Sequence, residues 1–324
     1  MKTSAKILRY IQNKKRVSTH ELVDLLSLSR MAVSKQLANL VAEGKLTKIG
    51  RPPKVFYQIT EQKEKDDDFV EISEPLKKII KENFLVITPA GERLEGMDGF
   101  LYWCRKTKQP IGKTAKDYAQ TLQKYGAFKK NGLIDGMEKF KATFREVGLS
   151  GIFYLDFYSI ERFGKTKLGQ FLLYAKQSQD KKLMKELTDD IRPTVNELIK
   201  KFKIDGVGFI PPTVKREVQF MKELERNLHP HIRKVSIVKI KTDIIVPQKT
   251  LNKLEDRIEN ARKTIIVDEK SEFDNILLID DAVGSGATLN ETALQIRGKG
   301  ICKGKIIGLA ITGSFKGFDV ISEV

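Results

Sequence analysis

The chain has little with which to build metal or disulfide chemistry. Of its 324 residues only two are cysteine, Cys104 and Cys302, and only three are histidine. The cysteines lie far apart and form no Cys-x-x-Cys pair. That excludes the usual zinc modules and fits buried thiols in a reducing compartment. His20, His229 and His231 make no ligand constellation. No apolar run approaches the length that spans a bilayer, and the first residues lack the apolar stretch of a secretory signal. A cytoplasmic protein with no membrane partner is expected. Acidic residues are outnumbered 42 to 59 by Lys and Arg, a formal net charge of +17. An excess that large suggests a polyanionic partner, although it can also serve solubility alone.

What is present is a globular composition, 40% hydrophobic and 31% charged, in a chain long enough for two or three domains. Charge is unevenly placed. Residues 1–60 carry twelve Lys and Arg against three acids, Glu21, Asp24 and Glu43. Within this segment Ile7, Leu8 and Ile11 mark one face of a helix. Ser18-x-x-Glu21 is a capping box for a second helix, with Leu22, Leu25 and Leu26 inward. Ser29 caps a third whose apolar face is Val33, Leu37, Leu40 and Val41, and Gly44 ends it. Two β-prone stretches follow, Leu46 to Ile49 and Val55 to Ile59, around Gly50-Arg51-Pro52-Pro53-Lys54. Three helices and a hairpin make the winged helix-turn-helix plan. The stretch Ser29-Arg30-Met31-Ala32-Val33-Ser34-Lys35-Gln36-Leu37 resembles that family's recognition helix. The resemblance implies that double-stranded DNA meets the third helix at Ser29, Arg30, Ser34, Lys35 and Gln36. Arg51 and Lys54, at the wing tip, are placed for a phosphate or for the minor groove.

Residues 61–68, Glu-Gln-Lys-Glu-Lys-Asp-Asp-Asp, read as a charged linker. Residues 69–150 carry the weakest signals and read as a mainly helical connecting region. Leu76, Ile79, Ile80 and Phe84 suggest one helix, and Phe140, Phe144 and Val147 another. Phe100, Leu101, Tyr102 and Trp103 read as core rather than as a base-stacking platform. From about residue 150 helix and strand signals alternate. Helix 183–202 is followed by strands at 206–210, 235–240, 264–267, 276–279 and 305–312. Repeated units of this kind predict a mostly parallel sheet over 151–324, with ligands beyond the strand C-terminal ends. The fold class expected is therefore α/β, with a winged helix at the N-terminus and a parallel-sheet domain at the C-terminus.

Residues 275–290, Asn-Ile-Leu-Leu-Ile-Asp-Asp-Ala-Val-Gly-Ser-Gly-Ala-Thr-Leu-Asn, are the most informative stretch. Four apolar residues suit a buried parallel strand. Asp280 and Asp281 follow at its end, then a loop of small and hydroxyl residues opening a helix. Backbone N–H groups of such a loop hold a phosphate, and paired acids suit ribose hydroxyls or a metal shared with them.

This order resembles the phosphoribosyl pyrophosphate (PRPP) signature of type I phosphoribosyltransferases. The resemblance implies that Asp280 and Asp281 contact the ribose hydroxyls, and that Val283, Gly284, Ser285, Gly286, Ala287 and Thr288 surround the 5′-phosphate. Mg²⁺ would enter with PRPP and meet Asp280 and Asp281 only through it. Pro211, Pro212, Thr213, Lys215 and Arg216 resemble the pyrophosphate loop of that fold, although Lys215 and Arg216 also read as the exposed first turn of a helix. Residues 150–324 are most similar to the ComF (competence) family, at Tyr154/Tyr158–Lys165–Gly169, the Pro-Pro loop, Gln248…Leu251…Arg257-Ile-Glu-Asn260 and the signature. That family's cysteine module is absent here and a winged helix stands in its place. In architecture the chain also resembles the purine-operon repressors. The acid that serves 6-oxopurine transferases as a base is replaced by Gly284, and no catalytic residue is assigned. The reading favoured is a DNA-binding regulator that senses PRPP or a nucleotide, as a homodimer. The alternatives are an active phosphoribosyltransferase with a DNA-targeting domain, and a ComF-like DNA uptake or processing factor.

Overall fold

The computed structural model describes residues 3–60, 72–212, 214, 216–228, 231–240, 246 and 250–315. The linker expected over 61–68, with Thr213, Lys215, Gln248 and His229, lies outside them. The chain divides into two compact units, Met1–Phe69 and Val70–Val324.

The first unit contains α1 (Thr3–Lys14), β1 (Val17–Ser18), α2 (Thr19–Leu26), α3 (Arg30–Ala42), β2 (Leu46–Arg51) and β3 (Lys54–Ile59). Both expected caps form. Ser18 Oγ accepts from Glu21 N at 3.3 Å while Glu21 Oε1 accepts from Ser18 N at 3.2 Å. Ser29 Oγ accepts from Ala32 N at 3.2 Å. Each cap satisfies donors that a helix start leaves unpaired. Strand β3 pairs antiparallel with both β1 and β2. Ile7, Ile11, Val17, Leu22, Val33, Leu37, Leu40 and Leu46 form the core. Leu25 and Val41, expected inward, are instead exposed. The period-3.6 stripe is narrower than those leucine and valine positions suggested.

The second unit opens with α4 (Glu74–Asn83), the hairpin β4 (Leu85–Ile87) and β5 (Arg93–Glu95), then α5 (Gly96–Lys106) and α6 (Ile111–Gly126). Phe100 is fully buried and meets Phe84 edge-on with ring centroids 5.3 Å apart, and Trp103 packs against the same core, whereas Leu101 and Tyr102 are half-buried outside it. Next come β6 (Lys129–Lys130), β7 (Leu133–Asp135), α7 (Met137–Thr143) and the buried strand β8 (Gly151–Phe157). A small hairpin of β9 (Ser159–Ile160) and β10 (Gly164–Lys165) leads to α8 (Lys167–Ser178) and the long α9 (Lys181–Phe202). The remainder is β11 (Gly206–Phe209), α10 (Phe220–Leu228), β12 (Arg233–Lys234), β13 (Ile237–Lys239), α11 (Leu254–Thr264), β14 (Ile265–Val267), β15 (Ile276–Val283), α12 (Ala287–Gly298) and β16 (Ile306–Gly313).

Among the described residues, seven strands form one sheet in the order β12-β11-β15-β16-β8-β7-β6. The first five run parallel, and β7 and β6 add an antiparallel edge. Residues 129–135 therefore belong to the sheet, and the segment before residue 150 folds with it. Strands β13 and β14, expected in the parallel sheet, pair with each other instead. Val238 and Ile240 are exposed, so this strand is covered on one face only, unlike the strands of the large sheet. Apolar residues cover the large sheet on both faces. Ile276, Leu278 and Ala310 join one core with α12, while Leu277, Ile279 and Leu309 join another with α8, α9 and α10.

Strand order reverses at one place that matters. From β11 the chain moves through α10 to β12 on one side, whereas from β15 it moves through α12 to β16 on the other. β11 and β15 are neighbours, so the loops after them part and leave a crevice at their C-terminal ends. Open α/β sheets bind ligands at such a switch point.

Candidate functional site

Two surfaces carry the expected residues, one on each unit. On the first, Arg30, Ser34 and Lys35 are exposed along α3 and Gln36 is half-buried. The Ser29 hydroxyl is engaged in capping α3 and so sets the helix start. The wing is a tight hairpin in which Arg51 pairs with Lys54 across the turn, and both are exposed. Gly50 makes that turn possible. Its φ is +85°, and a Cβ there would stand 2.3 Å from the Lys54 carbonyl oxygen. Met31, beside Arg30, is 84% exposed. It is an apolar addition to a face that sequence reasoning read as polar.

On the second unit, the loops after β11 and β15 line one cavity of about 430 Å³ at the switch point. Ile210, Pro211, Pro212 and Arg216 contribute one wall, and Asp280 to Thr288 another. β15 does not stop at Ile279. It continues through Val283, because β16 runs on to Gly313 and offers paired backbone. Asp280 and Asp281 are thus strand residues, and successive strand side chains leave opposite faces. Asp281 points toward α8, where Lys176 Nζ lies 2.6 Å from its Oδ2. Asp280 is on the side of Lys239 in β13. Burial, then the adjacent Asp281 carboxylate, push Asp280 up to about 7, against the pull of Lys176 and Lys239. Burial in turn pulls Lys239 down while Asp280 holds it up.

Arg216 is not in a helix, since α10 begins four residues later at Phe220. Its Nη1 donates to the Lys176 carbonyl, and Gln219 Nε2 donates to the Val214 and Arg216 carbonyls at 3.3 and 3.2 Å. The loop after β11 is therefore tied to the C-terminal turn of α8, the same turn that supplies Lys176. In the other loop, α12 starts at Gly286 without a side-chain cap, and the buried Ser285 hydroxyl accepts from Ala287 N at 3.4 Å. Arg257 on α11 is buried and lines the same cavity. Its Nε donates to the Leu251 carbonyl at 2.8 Å, and Nη1 lies 3.4 Å from where a Cβ on Gly284 would stand.

Sequence reasoning did not assign Lys176, Lys239 or Arg257 a role in the site. A signal existed for Arg257. It shares the inward face of α11 with Leu254 and Ala261, and a cation at an inward helical position is unusual. Among the described residues, no three His, Cys, Asp or Glu side chains come together as a metal site. Asp280 and Asp281 offer oxygen donors, but a Mg²⁺ there would need ligand oxygens to complete its six. Cys104 and Cys302 are buried free thiols; burial pushes Cys104 up to about 11 and Cys302 upward.

Residues 2–47 match the winged helix-turn-helix DNA-binding family. The N-terminal unit is a winged helix-turn-helix domain, and DNA binding resides there. No curated protein matches the chain. Among the described residues, no helix is long and apolar enough to cross a membrane.

Proposed function

We propose that this protein is a DNA-binding regulator whose second unit senses a phosphorylated ribose ligand, PRPP or a nucleotide, in the cavity at the switch point. The observation that carries the reading is the composition of that cavity. It brings an acid pair, a Gly/hydroxyl loop at a helix start and an arginine-bearing Pro-Pro loop to one rim, in a chain that also carries a winged helix. Each part suits one piece of the ligand. The loop and helix start suit a phosphate, the acids suit ribose hydroxyls or ligand-borne Mg²⁺, and Arg216 suits a diphosphate. Lys215, the other cation considered for the diphosphate, lies outside the described residues.

Sensing requires that the ligand bind DNA-competent and DNA-incompetent states with different affinity. Two copies of the winged helix, set two half-sites apart by a dimer, are the element such a ligand would bias. Coupling of about 1–3 kcal/mol is typical of such systems and is reciprocal. The deciding experiment titrates binding to the promoter DNA that the protein protects, with and without saturating PRPP–Mg²⁺. An Asp280→Asn/Asp281→Asn variant is the control. A ligand-dependent shift in the wild type alone supports the reading. Equal affinities, together with phosphoribosyl transfer to a nucleobase, would make the protein an enzyme instead. That second reading has one observation in its favour: Leu172, Leu173, Phe220 and Met221 give the cavity an apolar wall that suits a base.

A further inference from the structure

We propose that Arg257 binds the ligand's phosphate at the 284–288 loop, so that the cavity selects a phosphate monoester over the corresponding neutral sugar. The inference rests on the ribose-phosphate reading above and adds to it a residue and a selectivity.

Three features line the same cavity. The first is the guanidinium itself. Its Nε is anchored on the Leu251 carbonyl at 2.8 Å, which fixes the plane of the fork, and its Nη1 lies 3.4 Å from where a Cβ on Gly284 would stand. A planar fork with parallel N–H groups matches two oxygens of a phosphate. The second is the start of α12. First-turn N–H groups have no intrahelical acceptor, and the N-cap residue, Gly286, has no side chain to offer them; Ser285 Oγ takes the Ala287 N–H at 3.4 Å. The third is Thr312, on β16. Its hydroxyl is buried, lines the same cavity and meets no hydrogen-bond partner among the described residues. A buried hydroxyl left in that state costs about 1–3 kcal/mol, and a phosphate oxygen would remove the cost.

The other cations near the acids are differently placed. Lys176 is bound to Asp281, and Lys239 faces Asp280. Arg257 is the buried cation at the loop, and burial disfavours its charged form. A phosphate dianion there would add a counter-ion to that charge.

The test is calorimetry on the full chain with ribose 5-phosphate and ribose as probes. The wild type should bind ribose 5-phosphate and show no heat with ribose. Arg257→Gln should weaken ribose 5-phosphate by at least about tenfold, the loss expected for charge-assisted hydrogen bonds. Arg257→Lys should recover only part of it, because an ammonium lacks the fork. Gly284→Asp provides an independent variant that keeps Arg257. It sets a carboxylate against the guanidinium, and should abolish ribose 5-phosphate binding while leaving the thermal transition unchanged or raised. The proposal is overturned if folded Arg257→Gln or Gly284→Asp binds ribose 5-phosphate like the wild type, or if the wild type binds ribose as tightly. Should Arg257→Gln fail to fold, Arg257→Lys decides: a folded Arg257→Lys that binds ribose 5-phosphate like the wild type overturns the proposal. Arg257-dependent binding without any effect of PRPP on DNA affinity would overturn the sensing role and leave this site standing.

Discussion

Lys176, in the last turn of α8, and Asp281, on β15, meet at 2.6 Å across the mouth of the cavity. The same turn receives the Arg216 guanidinium at its backbone carbonyl. One helix end therefore holds a carboxylate of one loop region and a cation of the other. The ammonium sits beside two consecutive acids whose mutual repulsion would otherwise go unopposed on that face. Removing it in Lys176→Met should push Asp280 further up and cost about 1–2 kcal/mol at pH 8, since a partly buried carboxylate loses its partner. The loss should be smaller at pH 5, where Asp280 keeps its proton. Chemical denaturation at the two pH values checks this, and an equal loss at both would contradict it.

Asp280 gives a second pH-dependent expectation, with opposite sign on substitution. In the fold its carboxyl holds a proton up to about 7, whereas in the unfolded chain it releases it near the ordinary carboxylate value of about 4. Between those values the native state binds more protons, so stability falls as pH rises through the window. Asp280→Asn removes that penalty. It should stabilise the second unit by about 2 kcal/mol at pH 8 and by much less at pH 5, while weakening ligand binding. Unfolding curves with no gain at pH 8 would show that Asp280 is not disfavoured as an anion.

Much of the first unit was legible because its signals are local. Ser18 and Glu21 are three residues apart and cap each other, and the wing announces itself by Gly50 and the Pro-Pro pair. The strand at 276–279 and its loop were likewise readable as a continuous apolar run followed by small residues. What stayed hidden is set by distant partners. β15 extends to Val283 only because β16 is there to pair with it. Lys176 and Lys239 meet the acids from other elements, 105 residues away in the case of Lys176. Short strands β6 and β7, five residues in all, owe their existence to the edge of β8 rather than to their own sequence.

DNA binding should depend steeply on salt, because cations such as Arg51 and Lys54 would release counterions wherever they meet phosphates. Arg30→Ala should flatten the preference among sequences by about 1–3 kcal/mol at one base position. Lys54→Ala should weaken all sequences about equally and make the salt slope shallower. Competition binding on a panel of single-base variants separates the two outcomes. An Arg30→Ala protein with unchanged preferences would move base reading elsewhere on α3, with Met31 the next residue to test.

Gly50→Ala should damage the wing out of proportion to its size. The substitution combines a positive φ with a Cβ 2.3 Å from a backbone oxygen, so the hairpin itself must shift. A loss of at least about 1 kcal/mol in the first unit is expected, with weaker DNA binding at every sequence. Melting of the isolated hairpin signals by NMR reports it directly; an undisturbed wing would mean that the turn relaxes freely.

The placement of β7 against β8 bears on how this protein can be divided. β8 is seven residues long and mostly buried, with Ile152, Phe153, Tyr154, Leu155 and Phe157 in sequence. A fragment begun at residue 151 would strip away its antiparallel neighbour and leave those residues along a bare, apolar border. Unpaired borders of that kind recruit other chains and seed aggregates. The workable cut lies near residue 70, and β7 and β6 act as a built-in selvage for the sheet.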